Sequence, residues 1–254
     1  MSPQTVASDL SESRTPRLLV SVRNVEEAEA AIRGGCDILD VKEPHRGSLG
    51  MAAPDVLQRI SDFARSQAPQ VLLTAALGEV YEYRPSDARK ELPATLPALD
   101  FVKLGTARLR SASVWQKTVQ ATRAAITRTL SPATEWVAVA YADWKPAEAP
   151  CPDDVISEAL DAGCRGVLFD TYGKTGHGLL DWMSIADMQS AARRLHARGL
   201  FLALAGSLKF DDLAKLQPVA ADIIAIRGAA CVGGLRTDSI CESAVRDFQA
   251  ALQR

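Results

Sequence analysis

The sequence predicts an α/β fold, a single (β/α)8 TIM barrel, on three observations. Eight short apolar runs recur along the chain, amphipathic segments lie between them, and the join from helix to strand repeats in similar words. Near-continuous apolar runs suit parallel strands covered on both faces, and eight is the number that closes a barrel. A length of 254 residues fits one such domain. An open doubly wound sheet is the rival, but no G-x-G-x-x-G follows the first run.

The predicted strands are Arg17 to Val22, Asp37 to Lys42, Gln70 to Leu77 and Asp100 to Gly105 in the first half. Glu135 to Asp143, Arg165 to Asp170, Leu200 to Gly206 and Asp222 to Gly228 complete the set. After the first strand, "NVEEAEAAIRGG" reads as a helix capped by Asn24, with Val25, Ala28 and Ile32 on one face. "DDVISEALDAGC" repeats the design with Asp153 as its cap and Gly163 as its stop. "SIADMQSAARRLHARG" ends in basic residues and Gly199, as a helix C-terminus should, and His196 fits a dipole-capping place there. "FDDLAKLQPVAAD" gives a shorter helix and "CESAVRDFQAALQR" the last one. Residues 1–16 are polar without an apolar core, so they read as a disordered tail, leaving 17–254 as the barrel domain.

Composition narrows the function. With 47% hydrophobic and 24% charged residues and a net charge of −2, the chain is an ordinary globular sequence. No dense Lys/Arg run signals nucleic acid, and no long apolar stretch signals a membrane span, so the expected setting is the cytoplasm. Five cysteines without a C-x-x-C argue against disulfides or a zinc ribbon. Cys36 and Cys164 read as small buried thiols. The histidines His45, His177 and His196 have no metal-ligand spacing, and a role in the strand-end loops stays open for the first two.

A barrel works at the C-terminal ends of its strands, so the residues ending each run are the candidates. Asp40 and Lys42 end the second run, two apart and so on one face, with Glu43 pointing off it. Lys103 ends the fourth, Tyr141 and Asp143 the fifth, and Asp170 the sixth, with Lys174 four residues on. Any one such pair is most simply a salt bridge, but several at one rim suggest chemistry. A lysine amine becomes a nucleophile or base when neighbouring cations or burial lower its pKa, while carboxylates relay protons. The last two runs end in small-residue turns, "LAGSL" and "RGAACVGG", whose backbone N–H groups suit a phosphate. Gly206, Ser207, Arg227, Gly228, Gly233 and Gly234 are therefore the expected phosphate-binding set. "VYEYRP" (Val80 to Pro85) reads as a lid, a pocket wall or a solvated loop.

These residues also carry a likeness. "LLVSVRNVEEAEAAIRGGCDILDVKEPHRGSLG", "FVKLG", "YAD", "LFDT-x-x-K-x-G", "LALAGSL" and "AD-I-I-A-I-RGAAC-x-GG-x-R" together resemble the (5-formylfuran-3-yl)methyl phosphate synthases. The likeness runs in order from about Leu18 to the C-terminus, and Glu43 stands where that family is associated with Asn. It implies a lyase or aldolase-type synthase that condenses two glyceraldehyde 3-phosphate molecules into a furan aldehyde phosphate, losing one phosphate and water. The product would feed methanofuran-type cofactors of one-carbon metabolism. By this resemblance Lys42 matches the Schiff-base lysine and Lys103 the proton acceptor, with Asp40, Asp170 and Lys174 at further active-site positions. Imine chemistry needs no metal or organic cofactor. The implied partner is a triose phosphate, with no nucleic acid or membrane and a homo-oligomer admissible. Lys42 and Lys174 could exchange roles. Two rivals stand beside this one: another Schiff-base triose- or sugar-phosphate aldolase or isomerase, and a non-catalytic barrel that binds a phosphorylated metabolite.

Overall fold

The computed structural model describes residues 15–83, 94–110, 115–174 and 176–253. Most of the expected N-terminal tail, and Arg84 and Pro85 of the "VYEYRP" loop, lie outside these residues. Eight parallel strands close in sequence order into a barrel: β1 (Arg17–Val22), β2 (Ile38–Val41), β3 (Leu72–Glu79), β4 (Phe101–Gly105), β5 (Glu135–Tyr141), β6 (Gly166–Asp170), β7 (Phe201–Leu204) and β8 (Ile223–Ile226). Closure is the β1–β8 pairing, in which Leu18 faces Ile224 and Val20 faces Ile226. The helices are α1 (Val25–Arg33), α2 (Pro54–Gln67), α3 (Trp115–Thr127), α4 (Pro152–Asp161), the one-turn α5 (Leu179–Trp182), α6 (Ile185–His196), the short α7 (Asp212–Leu216) and α8 (Glu242–Leu252). No helix among the described residues is long and apolar enough to cross a membrane.

The continuous apolar runs have their reason in two cores. One face of the strands fills the barrel, with Leu19, Ile38, Leu72, Phe101, Val137, Leu168, Phe201 and Ile223 all buried there. The other face, with Leu18, Leu39, Leu73, Val102, Val167, Leu202 and Ile224, is buried beneath the helices. Phe101 and Phe201 meet edge to face across the barrel at 5.6 Å between ring centres. Gly166 is required here, since a Cβ would stand 2.3 Å from the Phe201 ring.

The N-terminal rim carries a repeated device. Asp37, Asp100 and Asp222 immediately precede the even strands β2, β4 and β8 or stand one residue before them. Each accepts the backbone N–H of the preceding strand, from Leu18, Leu73 and Leu202, at 2.7 Å in every case. The aspartates that open "DILDVK", "DFVKLG" and "DIIAIRG" are therefore staples between strands. Asp222 also pairs with His196 at 2.8 Å, so the helix-end histidine is tied to a strand as well as to its own helix terminus.

Helix signals are mostly met, with one change. Asn24 caps α1 by accepting from Glu27 N at 2.8 Å, and Ser184 caps α6. Asp153 is not the cap of α4: that position is Cys151, followed by Pro152, and Asp153 sits in the first turn facing Arg194 at 2.5 Å. Proline at the first helical position starts the helix two residues earlier than Asp153 as the cap would. Cys36 and Cys164 are buried free thiols, and burial pushes the Cys36 thiol up to about 12.

Candidate active site

The C-terminal mouth of the barrel holds a cavity of about 570 Å³. Asp40, Lys42, Lys103, Asp170 and Lys174 all line it, and so do Gly206, Ser207, Arg227, Gly228 and Gly234. Gly233 does not: it turns the β8 loop at φ +70, and a Cβ there would face Asp238. Asp143 does not line it either. Its carboxylate is buried and accepts the N–H groups of Tyr172 and Gly173, both at 2.7 Å, so it clamps the loop that carries Lys174. His45, His177 and residues 80–83 are not among the residues that line the cavity.

The ion pairs are not those that adjacency in sequence suggests. Asp40 pairs with Lys103 at 2.6 Å, both buried, and its other oxygen accepts from Ser21 Oγ at 3.0 Å. Asp170 pairs with Lys174 at 2.8 Å and also accepts from Ser48 Oγ at 3.1 Å and from Thr171 N at 2.7 Å. Burial pushes Asp170 up, yet Lys174 and Lys42 together outweigh it and hold the carboxyl below its usual value. That leaves the Lys42 amine with no hydrogen bond or ion pair to any described residue, although its backbone N–H donates to Val22 O at 3.1 Å. Burial is the leading influence on its amine, and despite the attraction of Asp40 and Asp170 the pKa falls from 10.5 to about 8. Lys42 is the cavity amine poised to lose its proton near neutral pH.

Arg227 overturns one expectation. Its guanidinium is buried and donates to Glu27 Oε2 at 2.9 Å and Glu27 Oε1 at 3.3 Å. It also donates to the carbonyls of Ser21 at 2.7 Å, Arg236 at 2.5 Å and Asp238 at 3.3 Å. A guanidinium has five N–H donors, and these contacts occupy its three nitrogens, so it braces the fold and is not a phosphate ligand. Glu27, from the first turn of α1, also accepts from Arg23. The two guanidinium hydrogen bonds hold Glu27 low against the burial that would raise it.

Two features of the site escaped the sequence reading. The first is Arg236, a half-buried cation in the lining whose Nη2 donates to Gly47 O at 2.9 Å. The second is Glu79. The β3–β4 register shifts between Ala76 and Glu79, which brings Glu79 opposite Gly105. There the carboxyl accepts from Tyr141 Oη at 2.5 Å and from Ala107 N at 3.0 Å, and burial raises its pKa to about 7. Tyr141 in turn packs edge to face on Tyr172 at 5.5 Å. This plug fills the β3–β5 side of the mouth, and no residue of β3 or β5 lines the cavity. The open side belongs to β7 and β8. Its turn at Gly206 and Ser207 runs through two positive φ values, +98 and +54, the second unusual for a residue with a Cβ.

The family model described as 4-HFC-P synthase matches residues 18–249. The chain belongs to the 4-HFC-P synthase family. A member from Methanobrevibacter smithii, named (5-formylfuran-3-yl)methyl phosphate synthase, is 36% identical over 236 residues, covering 91% of this chain and 97% of its own. The synthase of that name from Methanosarcina mazei is 34% identical over 239 residues, covering 93% and 99%. Among solved structures, GGGPS from Thermoplasma volcanium superposes with a TM-score of 0.64 at 10% identity, covering 98% of this chain and 97% of that one. At that identity the likeness speaks for the barrel fold alone. The cavity described above is where this chain gathers its charged strand ends.

Proposed function

We propose that this chain is a (5-formylfuran-3-yl)methyl phosphate synthase, a lyase that joins two glyceraldehyde 3-phosphate molecules through an imine on Lys42. The activity named for its relatives supports the product, and one geometric observation carries the mechanism: of the three strand-end lysines Lys42, Lys103 and Lys174, Lys42 is the one whose amine has no carboxylate partner, and its pKa is lowered to about 8. Its neutral amine attacks the triose carbonyl, and loss of water gives an iminium. The iminium accepts the electron pair left when the adjacent C–H is deprotonated, the resulting enamine expels the phosphate from C3, and the enol carbon C2 of the second triose adds to the C3 so activated. Closure of the first triose's C2 oxygen on the second triose's aldehyde, loss of two waters and hydrolysis of the imine then give the furan aldehyde phosphate and return Lys42 to its free amine, one phosphate having been released.

Proton transfers fall to the two ion pairs. Lys103 and Asp40 form a buried couple at 2.6 Å across which a proton can pass, with Ser21 fixing the carboxylate. Lys174 and Asp170 form a second couple, held by Ser48 and Thr171. The turns at Gly206–Ser207 and Gly228 suit one phosphate through backbone N–H groups; those of Gly206, Ser207 and Leu208 donate to no described residue. The chemistry as drawn uses no metal or organic cofactor.

The deciding experiment supplies purified protein with glyceraldehyde 3-phosphate alone and follows phosphate release together with a furan absorbance. Both are expected, and both should vanish in Lys42→Ala. Aldol sugar phosphate without a furan would make it a different aldolase. Borohydride trapping followed by peptide mapping should label Lys42, and a label found only on Lys174 would reverse their roles.

A further inference from the structure

We infer that the Arg236 guanidinium, reaching from the loop after β8 to the loop after β2, anchors the phosphate of the second triose at an anion subsite distinct from the Gly206–Ser207 turn. The inference rests on the two-triose reading above and extends it to where each phosphate sits. Two phosphomonoesters in one cavity need two sources of positive charge, and the cavity's cations can be sorted by what they already hold. Lys103 is committed to Asp40, Lys174 to Asp170, and Arg227 to Glu27 and three carbonyls. Lys42 must be neutral to attack. Lys209 is exposed at the rim.

Arg236 differs from all of these. It lines the cavity, it is half-buried, and its one hydrogen bond is to the Gly47 carbonyl, with no carboxylate paired to it. A guanidinium has five N–H donors, so four remain to meet an anion, in the planar fork that phosphate oxygens fit. Its position is fixed from both ends. Its own carbonyl accepts from Arg227 Nε at 2.5 Å, and its side chain reaches the β2 loop at Gly47. Ser48, the next residue, holds Asp170, so the guanidinium reaches to the side of the mouth that holds the Lys174–Asp170 couple, while the Arg236 backbone lies beside Gly228. Burial and the neighbouring Arg227 both work against its charge while Asp170 supports it, and an incoming phosphate would relieve that imbalance.

The test compares the intact chain with Arg236→Gln and Arg236→Lys. Calorimetric titration with inorganic phosphate should show the wild-type chain binding phosphate at a site that Arg236→Gln loses, while Arg236→Lys retains it more weakly. The KM for glyceraldehyde 3-phosphate should rise about tenfold to a hundredfold in Arg236→Gln, the range expected for losing charge-assisted hydrogen bonds. Borohydride trapping of Lys42 by unphosphorylated glyceraldehyde should be unchanged, because that substrate has nothing for Arg236 to hold. Equal phosphate affinity and stoichiometry in wild type and Arg236→Gln would overturn the inference, and so would absence of phosphate binding in the wild type. Parallel loss of trapping by glyceraldehyde would mark Arg236 as a loop strap instead, which also overturns it. If the wild-type chain makes no furan yet Arg236→Gln still loses the phosphate site, the two-triose reaction fails and the anion subsite stands.

Discussion

At the scale of single residues, the cavity separates amines by their partners rather than by their places in sequence. Asp40 and Lys42 share a face, but Asp40 spends its charge on Lys103, which is what leaves Lys42 free. A folded-state pKa of about 8 against 10.5 means that the neutral amine fraction rises steeply with pH, reaches one half at about 8 and levels off above that. The rate of imine trapping is expected to follow that curve, and a profile flat through that pH would remove Lys42 as the titrating nucleophile. The same shift has a stability sign: between those two values the unfolded chain holds the proton that the folded chain has released, so Lys42 costs stability below them and the cost fades as pH rises. Glu79 works in the opposite direction. Its pKa of about 7 against 4.5 lets the folded chain keep a proton that the unfolded chain loses, so stability should fall as pH rises through that interval and level off beyond it. Glu79→Gln keeps the hydrogen-bonding shape without the charge. Urea denaturation at a series of pH values should show a shallower slope in that variant, and equal slopes would place the pH dependence elsewhere.

At the scale of elements, the strands were readable because burial on both faces writes them as unbroken apolar runs, and the charged residues that end them were readable because they interrupt those runs. Lys42, Lys103, Asp170 and Lys174 announced themselves this way. What sequence hides is the partner. Arg227 ends β8 as a phosphate ligand should, yet its guanidinium turns back to Glu27, 200 residues away. Arg236 is one arginine in a glycine-rich loop until the fold lays it against Gly47, 189 residues distant. Glu79 lies beyond the apolar run that ends at Leu77, and only the register shift between β3 and β4 brings it opposite Gly105. The same shift fixes Gly105, where a Cβ would come within 2.2 Å of the Glu79 carboxylate. Gly105→Ala should therefore cost about 1–3 kcal/mol by overpacking, measured by urea denaturation. Glu43, unexplained in the sequence, caps the short turn after β2 by accepting from His45 N at 2.9 Å. The helices α2 and α3 were not singled out; α2 starts at Ala53 and Pro54 without a side-chain cap.

At the scale of the whole molecule, the barrel is sealed where its first and last strands meet. The β1–β8 seam is crossed above by Arg227, which ties β8 to Ser21 of β1 and to Glu27 of α1. Removing one partner of a buried ion pair leaves the other charge stranded, so Arg227→Met should cost about 3–5 kcal/mol in urea denaturation. A loss near zero would mean that Glu27 is satisfied by Arg23 alone. The plug of Glu79, Tyr141 and Tyr172 has a different consequence. It makes the chamber a cul-de-sac against one wall of the mouth, with its doorway toward β7 and β8. In a cul-de-sac arrivals form a queue. On the proposed reaction, the triose tethered to Lys42 would take the inner berth, the second would reach it from the doorway, and nothing built from both would leave until the tether is cut.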